Sequence, residues 1–157
     1  MGIKSLVLVL NDIRSTLNVG AIMRTGDGVG VEKIYLCGIT ATPKHPKVIK
    51  TALGAENFVK WEYRKNITVL LKKLKKEEYQ CVSLEIDEKS INIWDAHFGD
   101  KVALIVGNEI TGIDSKIIEQ SDLAIHIPMF GEKESLNVAT ATGIATYEIK
   151  RSLNVVA

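Results

Sequence analysis

Short apolar runs alternate with amphipathic stretches along this chain, and the alternation predicts its elements. Ser5–Leu10 is a continuous apolar run of strand length. Ser15–Val29 has helical spacing, with Ser15 or Thr16 placed to cap it. Lys33–Cys37 reads as a second strand. Between Thr40 and Asn57 the pattern is mixed, and Pro43 and Pro46 mark a loop ahead of a short helical piece. Phe58–Tyr63 is expected as strand, Ile67–Glu78 as helix and Gln80–Ile86 as strand. Val102–Val106 is apolar throughout, as a strand is when helices cover both faces of its sheet. Asp114–Ser121 then predicts a short helix, Leu123–Pro128 a strand and Leu136–Leu153 a terminal helix. The alternation predicts an α/β fold with a mostly parallel sheet covered by helices on both faces. No internal repeat, low-complexity stretch or linker interrupts it, so a single domain over 1–157 is expected.

Composition leaves that picture intact. Hydrophobic residues make up 46% of the chain and charged ones 25%, as in ordinary globular proteins. No apolar run reaches the length of a membrane span, and Ser5–Leu10 is too short for a secretory core, so a cytoplasmic location is expected. Cys37 and Cys81 each sit in an apolar run with no second Cys at metal or redox spacing, which reads as buried, reduced thiols. His45, His97 and His126 have no metal-ligand spacing and read as surface or core residues, so no metal is expected.

Charge adds something new. The net charge is +1, yet residues 1–76 carry fourteen Lys/Arg against five Asp/Glu, while residues 77–157 carry six against fourteen. Lys44, Lys47, Lys50, Lys60, Arg64, Lys65 and the run from Lys72 to Lys76 supply much of the basic excess. A basic face of this kind suits a polyanion through phosphate contacts. The plainer reading of the Lys72–Lys76 run is the wet side of a helix, the commoner fate of a charge run.

Glycine-rich phosphate loops are the first chemistry to test. Gly26-Asp27-Gly28-Val29-Gly30 falls at the end of a helix rather than between a strand and a helix, so it is no dinucleotide fingerprint; its glycines serve to end the helix. No Walker loop is present. A nucleotide hydrolase or an ordinary dinucleotide dehydrogenase is disfavoured.

Three polar constellations remain, each at a strand end or on the helix beside it. The first is Asn11-Asp12-Ile13-Arg14 with Asn18, Gly20 and Arg24 beyond. Arg24 lies between Met23 and Thr25 on an otherwise apolar helix, where it either snorkels or pairs with Asp27. The second is Gly107-Asn108-Glu109 with Gly112, directly after an apolar strand; Glu109 alone is explained by a first-turn or capping role. The third runs from Ile127 to Ala145, IPMFGEKESLNVATATGIA, where a strand ends, a Gly-containing loop follows and Ser135-Leu136-Asn137 opens a helix of small residues. Strand, loop and helix start leave backbone N–H groups free to meet a ligand, though Asn137 taken alone is equally a cap.

Together, NVGAIMRTGDGVG, IVGNEITGID and IPMFGEKESLNVATATG resemble the three ordered motifs of the SpoU/TrmH branch of the SPOUT RNA methyltransferases. The likeness runs over nearly the whole chain and includes KTALGAENFVKW from Lys50 to Trp61. Asn18 and Arg24 match the first motif; Gly107, Glu109 and Gly112 the second; Pro128, Gly131, Ser135, Leu136 and Asn137 the third. The resemblance implies methyl transfer from S-adenosylmethionine to a ribose 2′-hydroxyl in tRNA or rRNA, a homodimer, and a trefoil knot at the C-terminal end. It implies that Leu84, Gly107, Ile127, Met129, Gly131 and Leu136 hold the cofactor, and that Arg24, Asn18, Glu109, Ser135 and Asn137 serve catalysis. Gly107 and Gly131 then permit close approach of backbone to ligand. Two rivals stand beside this reading: a non-catalytic RNA-binding or assembly protein on the same scaffold, and a small-molecule enzyme of unrelated α/β fold.

Overall fold

The computed structural model describes residues 4–153, so the domain expected over 1–157 extends past the described residues at both ends. Seven strands pair in one wholly parallel sheet of order β3-β2-β1-β6-β4-β7-β5. They are β1 (Ser5–Asn11), β2 (Lys33–Cys37), β3 (Trp61–Arg64), β4 (Gln80–Leu84), β5 (Ile91–Asn92), β6 (Lys101–Val106) and β7 (Leu123–His126). The helices are α1 (Thr16–Val29), α2 (Pro46–Ala52), α3 (Ile67–Lys76), α4 (Ser115–Gln120) and α5 (Val138–Leu153).

Burial on both faces explains the strands' unbroken apolar character. Leu6, Leu8 and Leu10 of β1 face one way and meet Val19, Ile22 and Met23 of α1, Val48 of α2 and Ile149 of α5. Val7 and Val9 face the other way and meet Leu70, Leu71 and Leu74 of α3 and Ile117 of α4. The buried Leu70–Leu74 side leaves Lys72, Lys75 and Lys76 outward, so the basic run is the solvent side of α3. Cys37 and Cys81 are fully buried; burial first, then a nearby carboxylate, pushes their thiols up to about 12 and about 11.

Local chemistry sets the helix ends. Ser15 caps α1 by accepting the Asn18 N–H, and Gly30 closes it in the left-handed region at φ 72°. Gly26 and Gly28 stay inside the helix, so only the last glycine of the GDGVG run ends it. Gly20 allows α1 to touch α2: a Cβ there would stand 2.2 Å from the Val48 carbonyl oxygen. Four boundaries differ most clearly from the sequence pattern. The strand expected at Phe58–Tyr63 is β3, Trp61–Arg64, because Ala55–Asn57 forms a 3-10 turn that carries Phe58 outward. The strands expected to reach Ile86 and Pro128 stop at Leu84 and His126, where sheet pairing gives way to loops. The terminal helix starts at Val138, because Asn137 caps it rather than joining it. The two-residue strand β5 is too short to leave a periodic signal.

Candidate active site

Ligands of open parallel sheets bind beyond the C-terminal strand ends, and the main cleft lies there. It has a volume of about 700 Å³ and sits among the loops that follow β4, β6 and β7. Leu84, Ile127, Met129 and Leu136 supply apolar wall, Gly107 its floor, and Glu109, Ser135 and Asn137 its polar side.

The loop after β6 is held rigidly. Asn108 and Gly112 form an isolated antiparallel bridge, and Asn108 Oδ1 accepts the N–H groups of Ile110 and Thr111. Asn108 Nδ2 donates to the Asp12 carbonyl at 2.9 Å, tying this loop to the one after β1. Glu85 Oε2 accepts the Ile113 N–H at 2.8 Å, tying it to the loop after β4. Gly112 lies at φ 70°, a conformation that demands glycine, and a Cβ on it would push aside the Glu85 carboxylate 2.1 Å away. Gly107 is required by the protein itself: a Cβ would stand 2.6 Å from the Gly112 carbonyl oxygen.

One hydrogen-bonded chain joins all three constellations. Glu109 accepts the backbone N–H groups of Arg14 (2.8 Å) and Ser15 (2.7 Å), and Asn18 Nδ2 at 3.1 Å. Asn18 Oδ1 in turn accepts Asn137 Nδ2 at 3.3 Å. Asn137 Oδ1 accepts the Ala139 and Thr140 N–H groups at the start of α5. Burial raises the Glu109 carboxyl, but the bonds from Arg14, Ser15 and Asn18 outweigh it and hold the group below its ordinary range. A carboxylate so engaged is a poor proton acceptor and a good fixed anchor. Glu109 sets the orientation of the Asn18 amide, and Asn18 sets that of Asn137.

The structure thus gathers Asn18, Glu109, Ser135 and Asn137 at the cleft with Leu84, Gly107, Ile127, Met129 and Leu136. It does not bring Arg24 to the cleft wall of its own chain: that residue is exposed on α1, and among the described residues it pairs with no carboxylate, Asp27 included. Gly131 also stands off the wall, with open space where its Cβ would be. His126, read from sequence as a surface or core residue, instead lines the cleft. Sequence reasoning missed Glu85, kept His126 out of the site and gave Asn108, though part of the second constellation, no role; the signal was their position at strand ends.

A parallel, doubly covered sheet with a polar-sided cleft beyond its C-terminal strand ends defines an α/β scaffold with a ligand-sized site at the usual place. Residues 5–147 match the model of the SpoU rRNA Methylase family, and the chain belongs to that family. It is 34% identical over 149 residues to the tRNA (guanosine(18)-2′-O)-methyltransferase of Aquifex aeolicus, covering 94% of this chain and 70% of that protein. The enzyme of the same description from Borreliella burgdorferi is 30% identical over 144 residues, covering 92% of this chain and 65% of its own length. The chain therefore spans about two thirds of these curated relatives. A solved structure described as giving insight into "the 2-OH methylation of C/U34 on tRNA" superimposes with a TM-score of 0.86 at 25% identity, covering 97% of this chain and 98% of that one.

Proposed function

We propose that this chain transfers a methyl group from S-adenosylmethionine to a ribose 2′-hydroxyl of tRNA or rRNA. The observation that carries the reading is the Glu109–Asn18–Asn137 chain, which brings three motifs distant in sequence to one side of one cleft. The cleft suits the cofactor: its volume is that of a small-molecule site, and an apolar wall at Leu84, Ile127, Met129 and Leu136 faces polar groups that include Glu109, Ser135 and Asn137. Bound there, the cofactor would supply an electrophilic methyl group.

The protein's own task is to position the acceptor and stabilise its developing charge. Asn18 and Asn137, fixed through Glu109, orient the ribose hydroxyl, and holding it in line with the methyl group supplies much of the rate. Ser135 is an exposed hydroxyl on the same wall. Arg24 clamps the adjoining RNA phosphate and stabilises the emerging alkoxide; its guanidinium stays protonated, so the phosphate or a water carries the proton away.

Arg24 is exposed and outside its own cleft wall, which fits a homodimer in which one protomer's Arg24 serves its partner's site. The exposed Ile144 and Tyr147 on α5, a helix that packs against α1, support such a contact. The C-terminal trefoil knot belongs to the same proposal. It is supported by the way residues 126–138 share one cleft with the loops after β4 and β6 before α5 returns to α1. Residues 1–157 then act as one catalytic domain in the cytoplasm, where its RNA substrates are.

The test is calorimetry with S-adenosylhomocysteine, followed by methylation of tRNA and rRNA transcripts read by mass spectrometry of nucleosides. The neighbour of matching length makes tRNA nucleotide 34 the first position to assay. No binding at all would sink the enzyme reading and favour the assembly-protein rival, since a pure scaffold should bind no cofactor.

A further inference from the structure

His126, the last residue of β7, lines the cleft and has no part in the methyl-transfer chemistry above. Its Nδ1 lies 2.8 Å from Ser90 Oγ. Ser90 Oγ gives its own hydrogen to the Asp87 carbonyl at 2.7 Å and receives the Asp87 N–H at 3.2 Å. A hydroxyl has one hydrogen to give. If Ser90 gives that hydrogen to Asp87 rather than to the ring, the imidazole proton sits on Nδ1. The neutral ring then carries a bare lone pair on Nε2, turned away from Ser90. Among the described residues Nε2 has no hydrogen-bond partner, nor is it one of the buried atoms left without one.

Several neighbouring polar groups on the cleft wall already hold partners within the protein, while the Ser135 hydroxyl stands open. The Glu85 carboxylate holds the Ile86 and Ile113 N–H groups, Glu109 holds three donors, and both functional atoms of Asn108 and of Asn137 are bonded. With the proton on Nδ1, Nε2 is an acceptor open to a donor from outside the protein. Its place in the sheet narrows the choice. The Glu109–Asn18–Asn137 chain stands over β6 and β1, while His126 ends β7, with β4 between β6 and β7. Strand spacing puts His126 roughly 10 Å from the end of the cleft where the acceptor hydroxyl is held. An acceptor there suits an O–H or N–H and repels a phosphate or carboxylate oxygen.

We propose that His126 Nε2 accepts a hydrogen bond from an O–H or N–H on the nucleoside half of the methyl donor, and so selects an adenosine-bearing cofactor. The inference rests on the methyltransferase reading. Calorimetry with S-adenosylhomocysteine is run on the wild type, His126→Phe and His126→Gln. Loss of one hydrogen bond weakens binding about three- to tenfold in His126→Phe, and His126→Gln, whose Oε1 reaches the same place, recovers most of it. Analogues lacking the 2′-hydroxyl, the 3′-hydroxyl or the adenine amine then identify the donor. The one that lacks it binds the wild type weaker by the same factor and binds His126→Phe with no further loss. Nitrogen-15 spectra of the wild type show the proton on Nδ1, with the Nε2 signal moving when the ligand is added.

Unchanged affinity in a folded His126→Phe, losses fully additive for every analogue, or a proton found on Nε2 would each overturn the role of His126 while leaving the methyltransferase reading intact. No binding by the wild type would overturn both. Should His126→Phe fail to fold, the Gln variant and the nitrogen spectra still decide between these outcomes.

Discussion

Glu109 stabilises the fold through its ionised form. Three donors hold its carboxylate below the ordinary value of 4.5 despite the opposing effect of burial. Its contribution is therefore complete above that value and disappears as pH falls through the lowered folded pKa. In thermal melts, Glu109→Gln should melt below the wild type at neutral pH, and the gap should close as pH drops below 4.5. Glu62 and Glu148 are also held low, by Lys33 with Arg64 and by Arg151, but both proteins share them, so they cancel in the difference. Two glycines separate protein needs from ligand needs. Gly107→Ala should cost about 2 kcal/mol in denaturant unfolding, because its Cβ meets backbone. Gly131→Ala meets nothing and should stay within about 0.5 kcal/mol of the wild type. A drop in cofactor affinity in that folded variant would place the ligand against Gly131. The sequence marked both glycines alike, since what a Cβ would strike depends on segments that fold beside it.

The pairing of α1 with α2 shows how an element is fixed by a neighbour. A Cβ at Gly20 would stand 2.0 Å from Thr51 Oγ1 and 2.2 Å from the Val48 carbonyl oxygen, and Thr51 Oγ1 already donates to the Leu17 carbonyl. Gly20→Ala cannot be absorbed by a side-chain rotation alone, since helix backbone blocks it. It should cost about 3 kcal/mol, measured as a lower denaturation midpoint at unchanged slope. The long elements were legible because Leu6, Leu8 and Leu10 face one helical layer and Val7 and Val9 the other, leaving no polar position in the run. β5 was not, because a two-residue strand exists only where β7 supplies its partner at Ile91↔Ile125 and Asn92↔His126. The start of α5 was placed two residues early, because Leu136 and Asn137 have the composition of a helix while Asn137 holds its first N–H groups from outside.

Over the whole molecule, charge and chemistry divide between the two halves of the chain. Residues 1–76 carry the basic excess, and α3 turns its lysines to solvent. If these charges meet RNA phosphates, tRNA binding should weaken steeply and linearly on a log–log plot against salt, measured by filter binding. A flat dependence would favour the small-molecule rival. Arg24→Lys keeps the charge but loses the two-pronged geometry that grips a phosphate. It should leave S-adenosylhomocysteine affinity unchanged and lower methyl transfer about a hundredfold. Full activity in that variant would refute the clamp.

Sequence determined the layers of this protein and the residue types of its site. Apolar runs need burial on both faces, and the amides, carboxylate and glycines of the three motifs already carry the relevant chemistry. Only the tertiary structure decided who meets whom. Asn18, Glu109 and Asn137 are brought together because β1 and β6 lie side by side in the sheet and residues 126–138 return past both. His126 is set beside Ser90 in the same way, because β5, just past that serine, pairs with β7 at Asn92↔His126.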